Sequence, residues 1–420
     1  MQFNSLYEQP VPGITCPHPM PTPITLTVSD MTKSLNRILS LTDFEREARK
    51  LLPKPLYAYV SGAVEDEVSL AANLSSFSRY GFIPSILVDV SRVDTSVELF
   101  GRRYSAPIGI APMGIAAITS YRGDISLAQA AAKAQVPCIM SGSSLIKLEQ
   151  VMDVAPGTWF QAYLPGNEAQ IEALIDRVAA AKVEILVLTV DTPVAANREN
   201  NLRAGFSTPM RPSLRLAVQG ISHPTWLINT FFKTLYRHGM PHFENNYATR
   251  GVPIMSANVL RDFSDRGHLN WAHIAKIRAR WEGPLIIKGI LNPKDAAKAA
   301  NFGIDGIIVS NHGGRQLDSS VAPLVVLPRI IEAAPDIVTM LDSGIRRGTD
   351  AIKAMALGAK AVFVGRPFNY AATMAGEAGV SHAIKLIKDE LTRDLGLLGI
   401  PQLSDLDATA LVELTHPVPL

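Results

Sequence analysis

The sequence predicts an α/β fold: a closed (β/α)8 barrel of the TIM-barrel type, with a helical N-terminal segment and a long insertion after strand 4. From about residue 105, short apolar runs alternate with helical stretches, a rhythm typical of parallel βα units. Eight apolar runs can be counted, and eight βα units close into a barrel. The predicted strands are Pro107–Ala111, Pro137–Ser141, Thr158–Gln161, Ile185–Val190, Leu285–Lys288, Gly306–Ser310, Val338–Asp342 and Ala361–Gly365.

The segment before the barrel divides into an arm and a helical part. Residues 1–34 contain six prolines and little periodic hydrophobicity, so we expect an extended or disordered arm. From Ser40 to Glu45, polar capping residues and early acidic residues predict the start of a helix. We therefore expect the folded domain to span residues 35–400, with residues 401–420 as a C-terminal tail.

Composition limits the classes of protein that this chain can represent. It has 420 residues, 47% of them hydrophobic, and a formal net charge of +2, a balance that argues against a dedicated nucleic-acid binder. Cys16 and Cys138 are too few for a disulfide framework or a metal site and indicate a reducing compartment. The first basic residue is Lys33, and no basic start precedes an apolar run as in a secretory signal. We expect a cytoplasmic protein.

The stretch Ser310–Asp318, after the sixth predicted strand, carries the most chemistry. His312 can take a proton near neutral pH, and Arg315 can hold a carboxylate through two parallel hydrogen bonds. A lone His–Arg pair is more often a helix cap, but polar residues or glycines follow the other predicted strands too. These are Met113 and Gly114, Ser141 and Ser143, Gln161 and Tyr163, Thr189, Asp191 and Arg198, Lys288, Asp342, and Gly365 and Arg366. Because the C-terminal strand ends of a barrel meet at one face, this convergence predicts an active site.

The seventh and eighth strands are followed by a different pattern. Gly344–Gly348 and Gly365–Pro367 combine glycines with arginines where barrels commonly bind phosphate. Backbone N–H groups and a helix N-terminus can hold the anion there, and arginine adds charge-assisted hydrogen bonds. The alternative is arginines on a solvated face; the flanking glycines favour a phosphorylated cofactor or substrate.

Residues 200–270 form an insertion too long for an ordinary barrel loop. Its centre, Trp226–Arg237, is apolar, aromatic and basic. From residue 203 to residue 250, six basic residues face a single acid, Glu244. This composition suits peripheral membrane contact through residues 215–240, and equally a lid or a subunit contact.

Taken together, these motifs resemble the FMN-dependent L-2-hydroxy acid oxidase and dehydrogenase family, which includes glycolate oxidase, lactate oxidase, and lactate and mandelate dehydrogenases. The resemblance spans roughly residues 35–400. The stretches that carry it are Tyr59, Gly62-Ala63, Glu65–Glu67, Thr189–Pro193, Ile287–Gly289, Ser310–Asp318, Asp342–Gly348 and Gly365–Pro367. The insertion, with His223–Trp226, most resembles the bacterial lactate and mandelate dehydrogenases, some of which are membrane-associated.

The resemblance implies catalytic roles at matching positions. His312 would be the base that removes a proton as the 2-hydroxy acid becomes a 2-keto acid, and Asp191 would orient it. Arg315 and Arg198 would clamp the substrate carboxylate. Tyr59 and Tyr163 would hydrogen-bond the carboxylate or the hydroxyl.

The resemblance also implies a set of FMN contacts. Lys288 would lie at the N1/O2 edge of the flavin, where a cation stabilises the reduced ring. The other implied FMN contacts are Ala111, Pro112, Met113 and Gly114 facing N5; Ser143, Gln161 and Thr189 at the ring; Ser310 and Asp342 at the ribityl chain; and Gly344, Arg346, Gly365 and Arg366 at the phosphate. No metal is expected, and the family suggests a homo-oligomer, often a tetramer.

Three alternatives stay open at this point. The enzyme can be an oxidase that uses oxygen and makes hydrogen peroxide, although Gly114 stands where several oxidases have alanine, which favours a dehydrogenase. A flavin- or phosphate-binding barrel without turnover would be expected to lack catalytic positions, and none is missing. Another phosphate-binding barrel, such as a nucleotide dehydrogenase, is disfavoured because neither cysteine follows a late barrel strand.

Overall fold

A computed structural model of the protein describes residues 35–208, 210–255 and 266–415 and has the predicted (β/α)8 barrel. The expected arm, residues 1–34, lies outside the described residues. The strands are β1 Tyr80–Phe82, β2 Val97–Leu99, β3 Arg102–Tyr104, β4 Ile108–Ile110, β5 Ile139–Ser141, β6 Trp159–Ala162, β7 Leu186–Thr189, β8 Leu285–Ile290, β9 Gly306–Val309, β10 Val338–Asp342, β11 Val362–Val364 and β12 Leu411–Glu413.

Helices surround the barrel and form its N-terminal segment and insertion. They are α1 Leu41–Leu51, α2 Lys54–Ser61, α3 Val68–Ser75, α4 Ala116–Thr119, α5 Gly123–Ala134, α6 Leu148–Val154, α7 Glu168–Ala180, α8 Glu199–Ala204, α9 Leu214–Ile221, α10 Pro224–Trp226, α11 Lys233–His238, α12 Trp271–Arg280, α13 Pro293–Asn301, α14 Pro323–Ala333, α15 Gly348–Ala356 and α16 Arg366–Leu398. Helix α1 starts where predicted, with Ser40 and Asp43 forming a capping box.

The barrel consists of β4 to β11, each paired in parallel with its neighbour. A parallel bridge between Ile110 and Cys138 joins β4 to the start of β5 and closes the ring. All eight predicted barrel strands are therefore confirmed, with ends that shift by one or two residues. Their apolar runs are buried on both faces, as expected for strands covered by helices.

The N-terminal end of the barrel is closed by the hairpin of β2 and β3. Leu99 and Tyr104 from this hairpin are buried against the barrel interior, and Trp159 donates a 3.1 Å hydrogen bond to the Tyr104 hydroxyl. Since Trp159 begins its strand, this contact lies at the N-terminal face. The opposite face, where the strands end, stays available for a site.

The C-terminal segment differs from the expected tail. Strand β12 pairs antiparallel with β1, with Tyr80 opposite Glu413 and Phe82 opposite Leu411. Residues 411–413 thus pack on the domain rather than trail from it. A three-residue strand is too short for periodicity to reveal, which explains why the sequence predicted a tail.

The insertion folds as short helices on the outside of the site face. Trp226 is buried and its indole donates a 2.7 Å hydrogen bond to the Ile118 carbonyl, which anchors α10 to the barrel. Around it, Leu214, Ile221 and Tyr236 are largely exposed. Among the described residues, no helix is both long and apolar enough to cross a bilayer.

Candidate active site

A cavity of about 600 Å³ opens where the barrel strands end, within the range typical of ligand sites. Most of the residues predicted for the site line it. They are Tyr59, Ala111, Pro112, Met113, Gly114, Ser143, Tyr163, Thr189, Arg198, Lys288, His312, Arg315, Asp342, Gly344, Arg346, Gly365 and Arg366. Residues from eight strand ends and from α2 thus meet in one place.

His312 and Asp191 form the central pair. The imidazole Nδ1 lies 3.0 Å from Asp191 Oδ1 and 3.2 Å from Oδ2, so Nδ1–H donates to the carboxylate and Nε2 is left as the basic nitrogen. His312 has a positive φ of 59°, rare for a residue with a side chain, and Gly313 and Gly314 continue in the left-handed region. This strained turn directly follows β9 and directs the imidazole of His312 towards Asp191.

The buried environment keeps His312 neutral. Burial lowers the pKa of His312 below its ordinary value; Asp191 opposes that effect, while Lys288 and Arg198 add to it. Burial would raise the pKa of Asp191, but the charge interaction and hydrogen bond with His312, the nearby charge of Lys288 and a backbone hydrogen bond together lower it. The pair is therefore a neutral imidazole on an ionised carboxylate, which is the form that accepts a proton.

Two of the predicted tyrosines line the cavity, and one of them contacts the basic nitrogen. The hydroxyl of Tyr163 lies 3.4 Å from His312 Nε2, and the two rings stack with centroids 6.5 Å apart. The Tyr59 hydroxyl donates a 3.3 Å hydrogen bond to the Gly114 carbonyl. Tyr163 is thus the tyrosine beside His312, while Tyr59 lies against the Gly114 carbonyl.

Arg315 and Arg198 lie side by side on the cavity wall, where Arg198 Nε donates a 3.1 Å hydrogen bond to the Arg315 carbonyl. Arg315 Nη1 donates to the carbonyls of Tyr59 and Gly62, at 2.8 and 2.7 Å, which leaves Nε and Nη2 for another acceptor. Burial, and next the neighbouring Arg198, lower the pKa of Arg315 to about 9. Two adjacent guanidinium groups, of which Arg315 is buried, can bind a carboxylate strongly.

Lys288 is a buried cation on the cavity wall. Its ammonium donates to Asp342 Oδ2 at 2.9 Å and to the Ser310 hydroxyl at 2.8 Å. Burial would lower the pKa of Lys288, but the carboxylates of Asp342 and Asp191 raise it above its ordinary value. These carboxylates therefore keep the ammonium group of Lys288 charged where it lines the cavity.

Arg346 and Arg366 lie beside the glycines of the predicted phosphate site, and Arg366 donates to the same Gly62 carbonyl as Arg315. Arg366 donates to the carbonyls of Val60, Gly313 and Gly62, and so joins α2 to the turn after β9. These contacts use three of its five N–H donors. Arg346 is half-buried and Nη1 donates to the Ile345 carbonyl.

Three of the predicted residues, Asp191, Gln161 and Ser310, do not line the cavity themselves. Asp191 supports His312, and Ser310 accepts hydrogen bonds from Lys288 and from the His312 backbone N–H. Gln161 is fully buried; it accepts a 3.2 Å hydrogen bond from the Ser141 hydroxyl, and its Nε2 has no hydrogen-bond partner among the described residues. The FMN contacts of Gln161 and Ser310 stay predictions.

The sequence analysis gave no individual role to three residues, of which two, Gln316 and Asp318, lie within the Ser310–Asp318 stretch. Gln316 accepts a 2.6 Å hydrogen bond from Arg198 and donates a 3.1 Å bond to the Asp191 carbonyl, so it ties the arginine to the His–Asp pair. Asp318 caps α3 by accepting from the backbone N–H groups of Asp66, Val68 and Ser69. Arg266 lines the cavity from the end of the insertion. Their partners are far apart in sequence, so no local pattern marked them.

The chain is similar to a known protein family and to several known proteins and structures. A family model described as FMN-dependent dehydrogenase matches residues 48–413. An L-lactate dehydrogenase of Caulobacter sp. (strain K31) is 37% identical over 385 residues, which is 90% of this chain and 99% of that protein. The structure of the monotopic membrane protein (S)-mandelate dehydrogenase matches with a TM-score of 0.81 and 32% identity, over 90% of this chain and 100% of that one. A mandelate oxidase variant with 2-hydroxy-phenylacetamide matches with a TM-score of 0.74 and 31% identity, over 89% of this chain and 98% of that one.

Proposed function

The chain belongs to the FMN-dependent dehydrogenase family, and we propose that it oxidises an L-2-hydroxy acid to the 2-keto acid with His312 as the base. The family and the relatives identify an FMN-dependent L-2-hydroxy acid oxidoreductase. The roles of individual residues, the electron acceptor and the membrane contact are our proposals. The observation that carries the residue roles is the His312–Asp191 pair, whose basic nitrogen faces a cavity with two adjacent arginines.

The residues present fit FMN. Gln161 Nε2 is a buried donor without a partner among the described residues, and a flavin ring offers acceptors for it. Lys288 supplies a buried cation for the flavin edge. Arg346 and Arg366 supply cations for the phosphate, beside the helix α16 that starts after Gly365. When bound, FMN accepts the two electrons that leave the substrate.

The carboxylate of the substrate fits the pair formed by Arg315 and Arg198. Arg315 has Nε and one Nη clear of backbone contacts, a geometry that suits two parallel bonds to a carboxylate. Arg198 is held next to it by Gln316. This clamp would orient the substrate with its C2 carbon towards His312, and orientation of this kind lowers the barrier of the chemical step.

His312 then takes the proton. Nε2 accepts it from the carbinol of the substrate, and the imidazolium that forms is stabilised by Asp191, whose carboxylate is already charged. Tyr163, 3.4 Å from Nε2, would hold the substrate oxygen close to the base. The burial that lowers the pKa of His312 ensures that the base is neutral before substrate binds.

For the electron acceptor, the small residue at position 114 supports a dehydrogenase. A Cβ at Gly114 would lie 3.1 Å from the Ser143 Cβ and 3.3 Å from the Tyr59 hydroxyl, so the wall there is close-packed around the glycine. The alternative is an oxidase that makes hydrogen peroxide. The speed at which air restores the colour of the substrate-reduced protein separates the two.

For localisation, the insertion supports contact with a membrane surface. Leu214, Val218 and Ile221 lie on one face of α9 and are all more than half exposed. Arg211, just before the helix, and Arg215, in its first turn, are exposed. An apolar helix face with adjacent basic residues suits an interfacial position on an anionic bilayer.

The replacement His312→Gln tests the base directly. We expect the variant to keep bound FMN, because no FMN contact is assigned to this side chain, and to lose about 10²–10⁴-fold in kcat. Visible spectra and steady-state kinetics measure both. Near-normal turnover would contradict the assignment of His312 as the base.

A further inference from the structure

Ser343, the residue directly after β10, lines the cavity but has no part in the reaction described above. Its backbone φ is 78°, in the left-handed region that favours glycine. For a residue with a side chain this conformation is strained, and such strain persists where the surrounding contacts fix the backbone. What a serine adds to a glycine at this position is its hydroxyl group, so the contacts of that hydroxyl are of interest.

The hydroxyl of Ser343 connects the ends of two barrel strands. It donates a 2.9 Å hydrogen bond to Asp342 Oδ1, at the end of β10. It also accepts a 3.0 Å hydrogen bond from the backbone N–H of Gly313, in the turn after β9. A hydroxyl can make both bonds at once, because it has one donor and two acceptor lone pairs. Both bonds would be lost in a glycine variant.

These two bonds belong to a closed ring of hydrogen bonds that spans β8, β9 and β10 at the site face. Its members are Lys288, Asp342, Ser343, Gly313, His312 and Ser310. The ammonium of Lys288 donates to Asp342 Oδ2 at 2.9 Å and to the Ser310 hydroxyl at 2.8 Å. Ser310 accepts a 3.0 Å bond from the backbone N–H of His312, which directly precedes Gly313. The ring therefore joins a buried cation to the turn that carries the proposed base.

On the side of the base, the ring fixes the backbone of the turn. Gly313 is held at both of its polar backbone atoms, since Ser343 accepts from its N–H and Arg366 donates to its carbonyl at 3.0 Å. The imidazole of His312 has to point at Asp191 with Nε2 free for the substrate. A small displacement of this turn would move Nε2 away from the proton that it accepts and would slow the chemical step.

On the side of the cation, the hydroxyl affects the charge at Lys288. As a donor, it offsets part of the negative charge of Asp342, and it leaves Oδ2 directed at the ammonium. When the donor is lost, the carboxylate compensates the positive charge of Lys288 more completely. Less positive charge then acts on the flavin edge, where the ammonium would stabilise the reduced ring.

We propose that Ser343 is a positioning residue whose hydroxyl links the base His312 to the flavin-side cation Lys288. It keeps the turn after β9 in place for proton transfer and keeps the positive charge of Lys288 available to the flavin. The inference rests on the proposed function, because the role of His312 belongs to that function.

The variant Ser343→Gly tests the proposal on the FMN-loaded enzyme. It removes the hydroxyl and relieves the left-handed strain, so its effects come from the lost hydrogen bonds and not from added strain. We expect kcat to fall at least tenfold while KM changes less than threefold, because Arg315 and Arg198 lie outside the ring. Ser343→Ala removes the hydroxyl but keeps the strain and should show the same loss. Steady-state kinetics measure both constants, and the visible spectrum measures bound FMN.

A second measurement needs no substrate. Sulfite adds reversibly to oxidised flavin, bleaches its visible band and leaves a negative charge that a cation at the N1/O2 edge stabilises. In Ser343→Gly and in Ser343→Ala, the dissociation constant for sulfite should rise at least threefold. A residue that only supports the fold would leave this constant unchanged.

Ser319 provides a matched control on the same molecule. It is a serine with a φ of 58°, and it is exposed and lies outside the cavity lining. Ser319→Gly therefore makes the same chemical change at the same kind of backbone position. It should leave kcat and the dissociation constant for sulfite as in the wild-type enzyme.

The outcomes separate this inference from the proposed function. If kcat or the sulfite constant is unchanged in both variants of Ser343, the link between base and cation is overturned and the proposed function stands. Loss of FMN from both variants would make Ser343 a cofactor-binding residue and would also overturn the inference. If no L-2-hydroxy acid reduces the flavin of the wild-type enzyme, the proposed function and this inference are both overturned.

Discussion

His312, the proposed base, shows how backbone and environment together can prepare an ordinary residue to accept a proton. Its left-handed backbone at φ 59° holds the ring over Asp191, and the Ser310 hydroxyl accepts a 3.0 Å hydrogen bond from its backbone N–H. The dry surroundings lower its pKa, so the neutral form dominates near pH 7. Both effects depend on residues that are far apart in the sequence.

The pH dependence of kcat/KM reports this environment. Only neutral His312 accepts a proton, so activity should rise with pH along an acid limb whose midpoint lies below about 6.5, the ordinary histidine value. Asp191→Asn removes the opposing attraction, so the limb should move to lower pH while the plateau falls about 10²–10⁴-fold. A wild-type limb with its midpoint above 6.5 would contradict the neutral, buried base.

Arg315 should affect binding and chemistry together. In Arg315→Lys the charge remains but the paired donors are lost, so we expect KM to rise about tenfold or more and kcat to fall as well. Arg315→Met should be more severe, since it removes the charge. Steady-state kinetics measure both constants. Arg103, exposed on β3 at the N-terminal end of the barrel, provides the control variant Arg103→Lys. An unchanged KM in Arg315→Met would rule out the clamp.

At the scale of single residues, the sequence predicted most of the residues that line the cavity, but not the residues that hold them in position. His312, Arg315 and Lys288 follow strands whose apolar runs are plain in the sequence, and barrel geometry brings them together. Gln316 and Arg266 could not be predicted in the same way. Gln316 acts through contacts to Arg198 and Asp191, and Arg266 reaches the cavity from the insertion, whose path no periodicity defines.

Among the elements, the turn after β9 and helix α3 form one unit. Asp318, the last residue of the strand-six motif, caps α3, while Asn311 and Asn73 exchange side-chain hydrogen bonds at 2.7 and 2.8 Å. The carbonyls of α2 and of Gly62 hold Arg315 and Arg366. The helical segment before the barrel therefore builds one wall of the site, which explains why its motif accompanies the strand-six motif.

The insertion is the element for which we propose a role outside the chemistry. If α9 lies on a bilayer, the triple replacement of Leu214, Val218 and Ile221 by aspartate should abolish binding to vesicles that contain phosphatidylglycerol. All three side chains are exposed, so folding and lactate or malate oxidation should persist. Vesicle co-sedimentation measures binding, and phosphatidylcholine vesicles should bind the wild-type protein less because they lack the anionic charge.

A control for this test exists on another element of the molecule. Leu397 in α16 is 70% exposed, and Leu397→Asp adds an acid to another apolar surface position. It should leave vesicle binding nearly unchanged. Equal binding by the triple variant and the wild-type protein would show that α9 is not the contact.

For the whole molecule, the sequence predicted the architecture well because each barrel strand is a mostly apolar run whose residues are buried on both faces. It could not predict β12, a short strand that depends on pairing with β1 from the far end of the domain, or the hairpin that closes the barrel. Short strands made by distant pairing leave no periodic signal. The boundary of the domain at residue 35 and the oligomeric state stay predictions, whereas the pairing of β12 with β1 places residues 411–413 on the domain.

The most direct test of the whole account is anaerobic titration of the purified protein with L-2-hydroxy acids, followed in the visible spectrum. We predict a yellow protein whose flavin band is bleached by an L-2-hydroxy acid and not by its D isomer, and far more slowly in His312→Gln. Admission of air should restore the colour slowly if the enzyme is a dehydrogenase. A protein that holds FMN but is bleached by none of lactate, glycolate, mandelate, malate and 2-hydroxyglutarate would contradict the account.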